Sequence, residues 1–152
     1  MNLDKTDLKI IKLLQKNSRL SLKHLSEKVF LSQPSVKNRL QRLIDSGCIE
    51  SFTLKLNYEK LGFKLAFITR ISDINISFNE LFAFLKQQQE LTEIYSVTGS
   101  DNYIVKGFVT NTQEMELLLS KLMNYGKLNT AIILESYDNT DPLEIFNLLT
   151  IK

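Results

Sequence analysis

The stretch that decides the fold is Ser32-Gln33-Pro34-Ser35-Val36-Lys37-Asn38-Arg39-Leu40-Gln41-Arg42-Leu43-Ile44-Asp45-Ser46, followed by Gly47. Ser32 is a good helix N-cap, and Pro34 falls in the first turn, where a missing N–H costs little. With proline there, the Ser35 N–H is the donor that the Ser32 side chain can reach. Val36, Leu40 and Leu43 recur at i, i+4 and i+7 and define one apolar face. The other faces carry Gln33, Ser35, Lys37, Asn38, Arg39, Gln41 and Arg42. Gly47 ends the helix.

Two shorter helical patterns precede it. Asp4 can cap the first, with Asp7 near the positive end of the helix dipole. Ile10, Leu13, Leu14 and Asn17 recur there at helical spacing, with Lys9, Lys12 and Lys16 between them. Ser21 caps the second, which carries Leu22, Leu25 and Val29 and closes at Phe30-Leu31. Two helices, a tight turn and a polar third helix make a helix-turn-helix, whose third helix enters the major groove with its N-terminal residues facing base edges. That groove is about 12 Å wide, so small and amide side chains at the helix front, Ser32, Gln33, Ser35 and Asn38, approach the bases closely. Lys37, Arg39 and Arg42 are expected to grip phosphates and set register.

Charge points the same way. Residues 1–60 hold 12 Lys/Arg against 6 Asp/Glu, a balance of +6, and the remainder holds 7 against 11, a balance of −4. A basic third on an acidic remainder fits a domain that meets a polyanion. Charge alone is equally a cluster of solvated lysines, but beside this helix order it indicates duplex DNA.

Other classes are poorly supported. No apolar stretch approaches the ~20 residues that span a bilayer, and the first residues lack a signal-peptide pattern. Cys48 stands alone, which suits a reducing compartment, and a cytoplasmic location is expected. His24, early in the second helix, reads as a surface residue rather than a base. No Ser/His/Asp set, glycine-rich phosphate loop or Cys/His cluster appears, so no catalytic residue, metal or cofactor is expected.

Beyond Gly47, residues 48–56 alternate apolar and polar, as a strand or wing would, and residues 57–62 read as a hinge. Residues 65–71 form a strand. Ser77 and Glu80 form a capping box ahead of Phe78, Leu81, Phe82 and Leu85 on one helical face. Strands follow over 93–98 and 103–109, joined by Gly99-Ser100-Asp101-Asn102. Asn111 and Glu114 open a helix with Met115, Leu118, Leu119 and Leu122 as its stripe, and a last strand spans 130–137. The order β-α-β-β-α-β is the ferredoxin-like unit. The expected class is α+β: a winged helix-turn-helix over 1–50, wing strand and hinge over 51–62, a ferredoxin-like domain over 63–140, and a tail helix over 141–152. The sheet face away from the helices keeps apolar residues, which implies cover by a partner subunit and hence a dimer.

Two runs carry a family resemblance. The first comprises Leu3-Asp4, Asp7, Ile10-Ile11, Leu13-Leu14, Asn17-Ser18-Arg19-Leu20-Ser21, Leu31-Ser32, Val36, Arg39-Leu40, Arg42-Leu43-Ile44 and Gly47-Cys48-Ile49. The second is Ile94-Tyr95-Ser96-Val97-Thr98-Gly99-Ser100-Asp101-Asn102-Tyr103. In this order the chain resembles the leucine-responsive and asparagine-synthase regulator (Lrp/AsnC) family. The resemblance implies a winged helix-turn-helix that reads DNA and a ligand-sensing ferredoxin-like domain. It also implies dimers that assemble further into octamers or other even-numbered rings, and an amino-acid effector that adjusts assembly and promoter occupancy. Carried over by position, Gly99, Ser100, Asp101, Asn102 and Tyr103 line the effector site, with Thr130 joining them. Two departures bear on the ligand: Asn102 stands where the family commonly has Asp, and Ile132 where relatives often place a second threonine. Two alternatives stay open, a ligand-independent DNA-architectural protein and an enzyme resembling tetrapyrrole decarboxylases. The latter would need histidines and arginines around substrate carboxylates, and here only His24 and, in the second domain, Arg70 are present.

Overall fold

Asp4 starts the chain's first helix by a reciprocal cap: its carboxylate accepts the Asp7 N–H at 2.8 Å, and the Asp7 carboxylate accepts the Asp4 N–H at 3.1 Å. In this computed structural model, which describes residues 3–137, that helix is α1, Lys5–Lys16. The Ser21 side chain caps α2, Leu22–Val29, which ends at Phe30 in the left-handed conformation, φ 58°. Ser32 caps α3, Gln33–Asp45, and accepts the Ser35 N–H as the proline position requires. Ile10, Leu25, Val36 and Leu43 are wholly buried among Ile11, Leu14 and Val29. Each such side chain contributes about 1.5–3 kcal/mol on leaving water, so the three helices hold one another. This unit runs to Lys55, and a second comprises Leu56–Ser136.

The expected wing strand is not formed. Residues 51–57 carry no ladder, and Phe52, Leu54 and Leu56 are exposed. Alternation selects a strand only where a neighbour supplies the cross-strand N–H and C=O partners, and none of the described residues does so there. The hinge expected over 57–62 is also more ordered than that reading implied. A 3-10 turn, Glu59–Leu61, ends at Gly62 with φ 98°, and the Tyr58 ring stacks on Phe108 at 4.0 Å.

In the second unit, β1 (Leu65–Ser72), β2 (Leu91–Ser96), β3 (Tyr103–Val109) and β4 (Lys127–Ile132) form one sheet in the order β2-β3-β1-β4, with every pair antiparallel. Between them run α4 (Phe78–Leu85) and α5 (Thr112–Leu122). This is the expected ferredoxin-like order. Phe67, Ile71, Tyr103, Val105 and Val109 face Leu81, Leu85, Met115, Leu118 and Leu122 in a single core. Gly107 leaves room for the Phe67 ring, since a Cβ there would lie 2.6 Å from its Cζ.

Two expectations need correction. The strand placed over 93–98 starts and ends two residues earlier, with a register shift between Leu91 and Glu93. The strand placed over 130–137 is β4, which begins at Lys127. Gly126 passes so close to β1 that a Cβ would sit 2.6 Å from the Ser72 carbonyl, and this lets the chain pair with β1 at once. Of the residues expected on one face of α4, Leu81 and Leu85 are buried, while Phe78 and Phe82 are partly exposed and lay their rings beside Tyr103. The tail helix expected over 141–152 lies outside the described residues.

Candidate nucleic-acid interface and effector loop

The apolar stripe of α3 turns Val36 and Leu43 inward, and that orientation fixes where its polar residues point. Gln33, Lys37 and Asn38 are exposed and line one open groove with Pro34 and with Leu22 of α2. Lys37 has no ion pair among the described residues. Ser32 and Ser35 close on each other, with their hydroxyls 2.8 Å apart. Gln41 donates to Asp45. His24 is exposed and shares a hydrogen bond with Ser21 at the α2 cap.

Arg39 and Arg42 behave differently from the other polar residues of α3. Arg39 Nη1 lies 2.6 Å from Asp4 Oδ2 and 2.8 Å from Asp7 Oδ1, and Arg42 Nη2 lies 2.6 Å from Asp7 Oδ2. Asp7 is wholly buried, whereas the Arg42 side chain is 52% exposed. The Asp7 N–H and then the Arg39 guanidinium hold the Asp4 carboxyl below its ordinary value. Hydrogen bonds to Asp4 and then Asp7 raise Arg39 in turn. The phosphate-gripping role expected of both arginines thus competes with partners inside the protein. In the sequence Asp4 reads as a cap and Asp7 as a charge near the helix dipole, and nothing local reveals their arginine partners, which lie 32–35 residues away along the chain.

The loop after β2 turns at Gly99, φ 117°, a conformation glycine adopts freely. Asn102 anchors it: its N–H donates to the Ile71 carbonyl at 2.8 Å, and its carbonyl accepts the Val97 N–H at 3.1 Å. Gly99 and Ser100 are exposed, and Asp101 and Asn102 are half-buried. Tyr103 instead points into the core, and its hydroxyl donates to the Phe78 carbonyl at 2.9 Å. Thr130 is not brought to this loop. It pairs with the buried Thr69, hydroxyl to hydroxyl at 2.9 Å, on a strand separated from β3 by β1.

On the opposite sheet face, Ile68 and Tyr95 are exposed, Lys106 bridges to Glu93, and Arg70 reaches Asn129 at 3.4 Å. No helix among the described residues is long and apolar enough to cross a membrane.

These arrangements match known proteins along nearly the whole chain. Residues 3–50 fit the sequence model for winged helix-turn-helix DNA-binding domains, and residues 68–143 that for the Lrp/AsnC ligand binding domain. An uncharacterised HTH-type transcriptional regulator of Pyrococcus furiosus is 33% identical, covering 89% of this chain and 93% of its own. The HTH-type transcriptional regulator LrpC of Bacillus subtilis is 30% identical, over 91% and 96%. The structure of LrpC superposes with a TM-score of 0.86 over 91% of this chain and 99% of its own, at 29% identity. A Neisseria meningitidis transcriptional regulator in complex with L-Met also gives a TM-score of 0.86, at 26% identity over 97% and 100%. With a helix-turn-helix unit, a ferredoxin-like unit and these relatives, the chain belongs to the Lrp/AsnC family of transcription regulators.

Proposed function

We propose that this regulator recognises particular duplex sites through the front of α3 and that an amino acid bound at the 99–102 loop tunes its assembly or promoter occupancy. The carrying observation for DNA is the groove lined by Gln33, Lys37 and Asn38, which are exposed while Val36 and Leu43 behind them are fully buried. Gln33 and Asn38 offer amides that can bond adenine at two points, Ser32 and Ser35 add hydroxyls, and Lys37 holds a phosphate. Replacing Asn38 by alanine relaxes sequence preference, with ~1–3 kcal/mol lost on the cognate site. Lys37→Ala weakens all duplexes alike and lowers the salt slope by about one. Competition binding between a selected and a scrambled duplex reads both changes. Unchanged selectivity for Asn38→Ala would remove it from the reading surface.

For the effector, the side chains open to a ligand are Ser100, Asp101 and Asn102, and the L-Met complex of the Neisseria relative supports an amino acid as its class. The Asp101 carboxylate is the group suited to a ligand ammonium, a stronger partner than the neutral Asn102 amide. Tyr103 and Thr130 support the sheet rather than touch the ligand in this reading, because their hydroxyls already bond Phe78 and Thr69. A thermal-shift screen of the common amino acids, repeated with Asp101→Ala, is the test: the reading requires a response that the variant loses. Self-association through the sheet face that carries Ile68 and Tyr95 completes the proposal, checked by light scattering with and without the responding amino acid.

A further inference from the structure

Four charged side chains of the N-terminal unit take no part in the base contacts proposed above, yet they set the face that makes them. A buried carboxylate persists only when it is paired and hydrogen-bonded. Asp7 meets that condition with both oxygens on α3, one on Arg39 and one on Arg42, while Asp4 takes a second bond from Arg39. Two acids and two arginines cancel. Of the three cations on α3, Lys37 alone then lacks an acidic partner among the described residues.

The spacing gives the cluster mechanical meaning. Arg39 and Arg42 lie about 4.5 Å apart along the helix axis at 1.5 Å per residue, and both end on one carboxylate of α1. Apolar packing of Val36 and Leu43 on α1 and α2 is non-directional and tolerates a small roll or slide of the helix. Two charge-assisted hydrogen bonds at separate points do not. The same carboxylate also occupies guanidinium groups that would otherwise suit phosphate, the anion that arginine binds best in two-point fashion.

We infer that Asp7, assisted by Asp4, is a positioning residue for DNA recognition, which holds α3 at the roll that presents Gln33 and Asn38 and keeps Arg39 and Arg42 off the phosphates. This rests on the DNA-binding reading. It turns a helix with three cations into one whose binding depends on base edges more than on charge, and so into a specificity device. Removing the carboxylate is expected to make binding tighter in its electrostatic part and less selective.

The experiment uses the full chain, a duplex selected by the wild type from a random pool, a scrambled duplex, and a salt series on each. Arg39→Gln lowers the selected-over-scrambled ratio about tenfold, the size of one misread base pair, and leaves the salt slope unchanged. Asp7→Asn lowers the same ratio and steepens the slope by about 0.9 for each guanidinium released to a phosphate. Asp4→Ser keeps a capping side chain, removes one partner of Arg39, and steepens the slope by a smaller step, so the question stays answerable if Asp7→Asn does not fold. A slope that flattens in Arg39→Gln as it does in Lys37→Ala overturns the inference, because Arg39 would then already hold a phosphate. So does a folded Asp7→Asn whose slope and ratio match the wild type. A wild type that binds no duplex overturns the DNA reading itself and carries this inference with it.

Discussion

Each unit of the molecule holds a buried polar residue, Asp7 in one and Thr69 in the other, that reaches across to another element, and the two are built differently. In the N-terminal unit Asp7 meets two guanidiniums from α3, a charged contact at the border between core and solvent. In the second unit Thr69 meets Thr130 across β1 and β4, a neutral pair of hydroxyls. The neutral pair satisfies two groups that would be costly to bury alone and pins the register of an edge strand. The charged cluster aims a helix. Its cations could equally be taken by an anion from solution, so its strength and its exchangeability come from the same charge. One unit uses polar chemistry to hold a binding face, the other to hold a sheet.

The contrast can be broken at several points. The largest effect is expected where no polar group is involved. Phe67→Ala empties the space beside Gly107 and should cost ~3–5 kcal/mol in denaturant unfolding, as for other large-to-small core changes. A loss under 1 kcal/mol would mean the sheet does not depend on that core. Next comes Thr69→Val, which keeps shape and deletes one hydroxyl. Because Thr130 is only half-buried on an edge strand, water can take over its bond, and a loss of about 1 kcal/mol is expected. A cost like that of Phe67→Ala would show the pair to be more than a register pin.

The turns of the two units differ as well. The 99–102 loop uses glycine at φ 117°, whereas the turn between α2 and α3 puts Phe30 at φ 58°, a residue 86% exposed, with Lys9 5.2 Å from the ring centre. A left-handed L-residue costs roughly 1–2 kcal/mol, and the lysine contact offsets part of that. Phe30→Gly should therefore raise stability by about 0.5–1 kcal/mol in the same unfolding assay. A decrease would show that the ring packs better than its exposure implies.

The smallest effect is on the acid side. Asp4 has a folded pKa below its ordinary unfolded value. It therefore adds stability above that pH and loses it as pH falls towards the folded value. Glu80, held down by Ser77, and Glu114, held down by Thr110, act with the same sign in the second unit. Melting temperatures from pH 6 to 3 should fall less steeply for Asp4→Ser than for the wild type, and parallel curves would remove the contribution given to Asp4.

Much of this was legible in the residues. The caps at Asp4, Ser21, Ser32, Ser77 and Asn111, the stripes of α1, α3 and α5, and the β-α-β-β-α-β order rest on contacts within a few positions of the chain, where helix and strand periods impose themselves directly. The exposed front of α3 belongs to the same class, since burying Val36 and Leu43 leaves Lys37 and Asn38 no other side to occupy. Tertiary structure alone decided what Arg39 and Arg42 hold, that Thr130 serves Thr69 and not the loop, that β4 starts at Lys127, and that residues 51–57 stay unpaired. The contacts among them join groups from 32 to 61 positions apart. An arginine on a helix looks the same in sequence whether its nearest anion is a carboxylate on the next helix or a phosphate in solution, and only the meeting of the two helices makes one of them nearer.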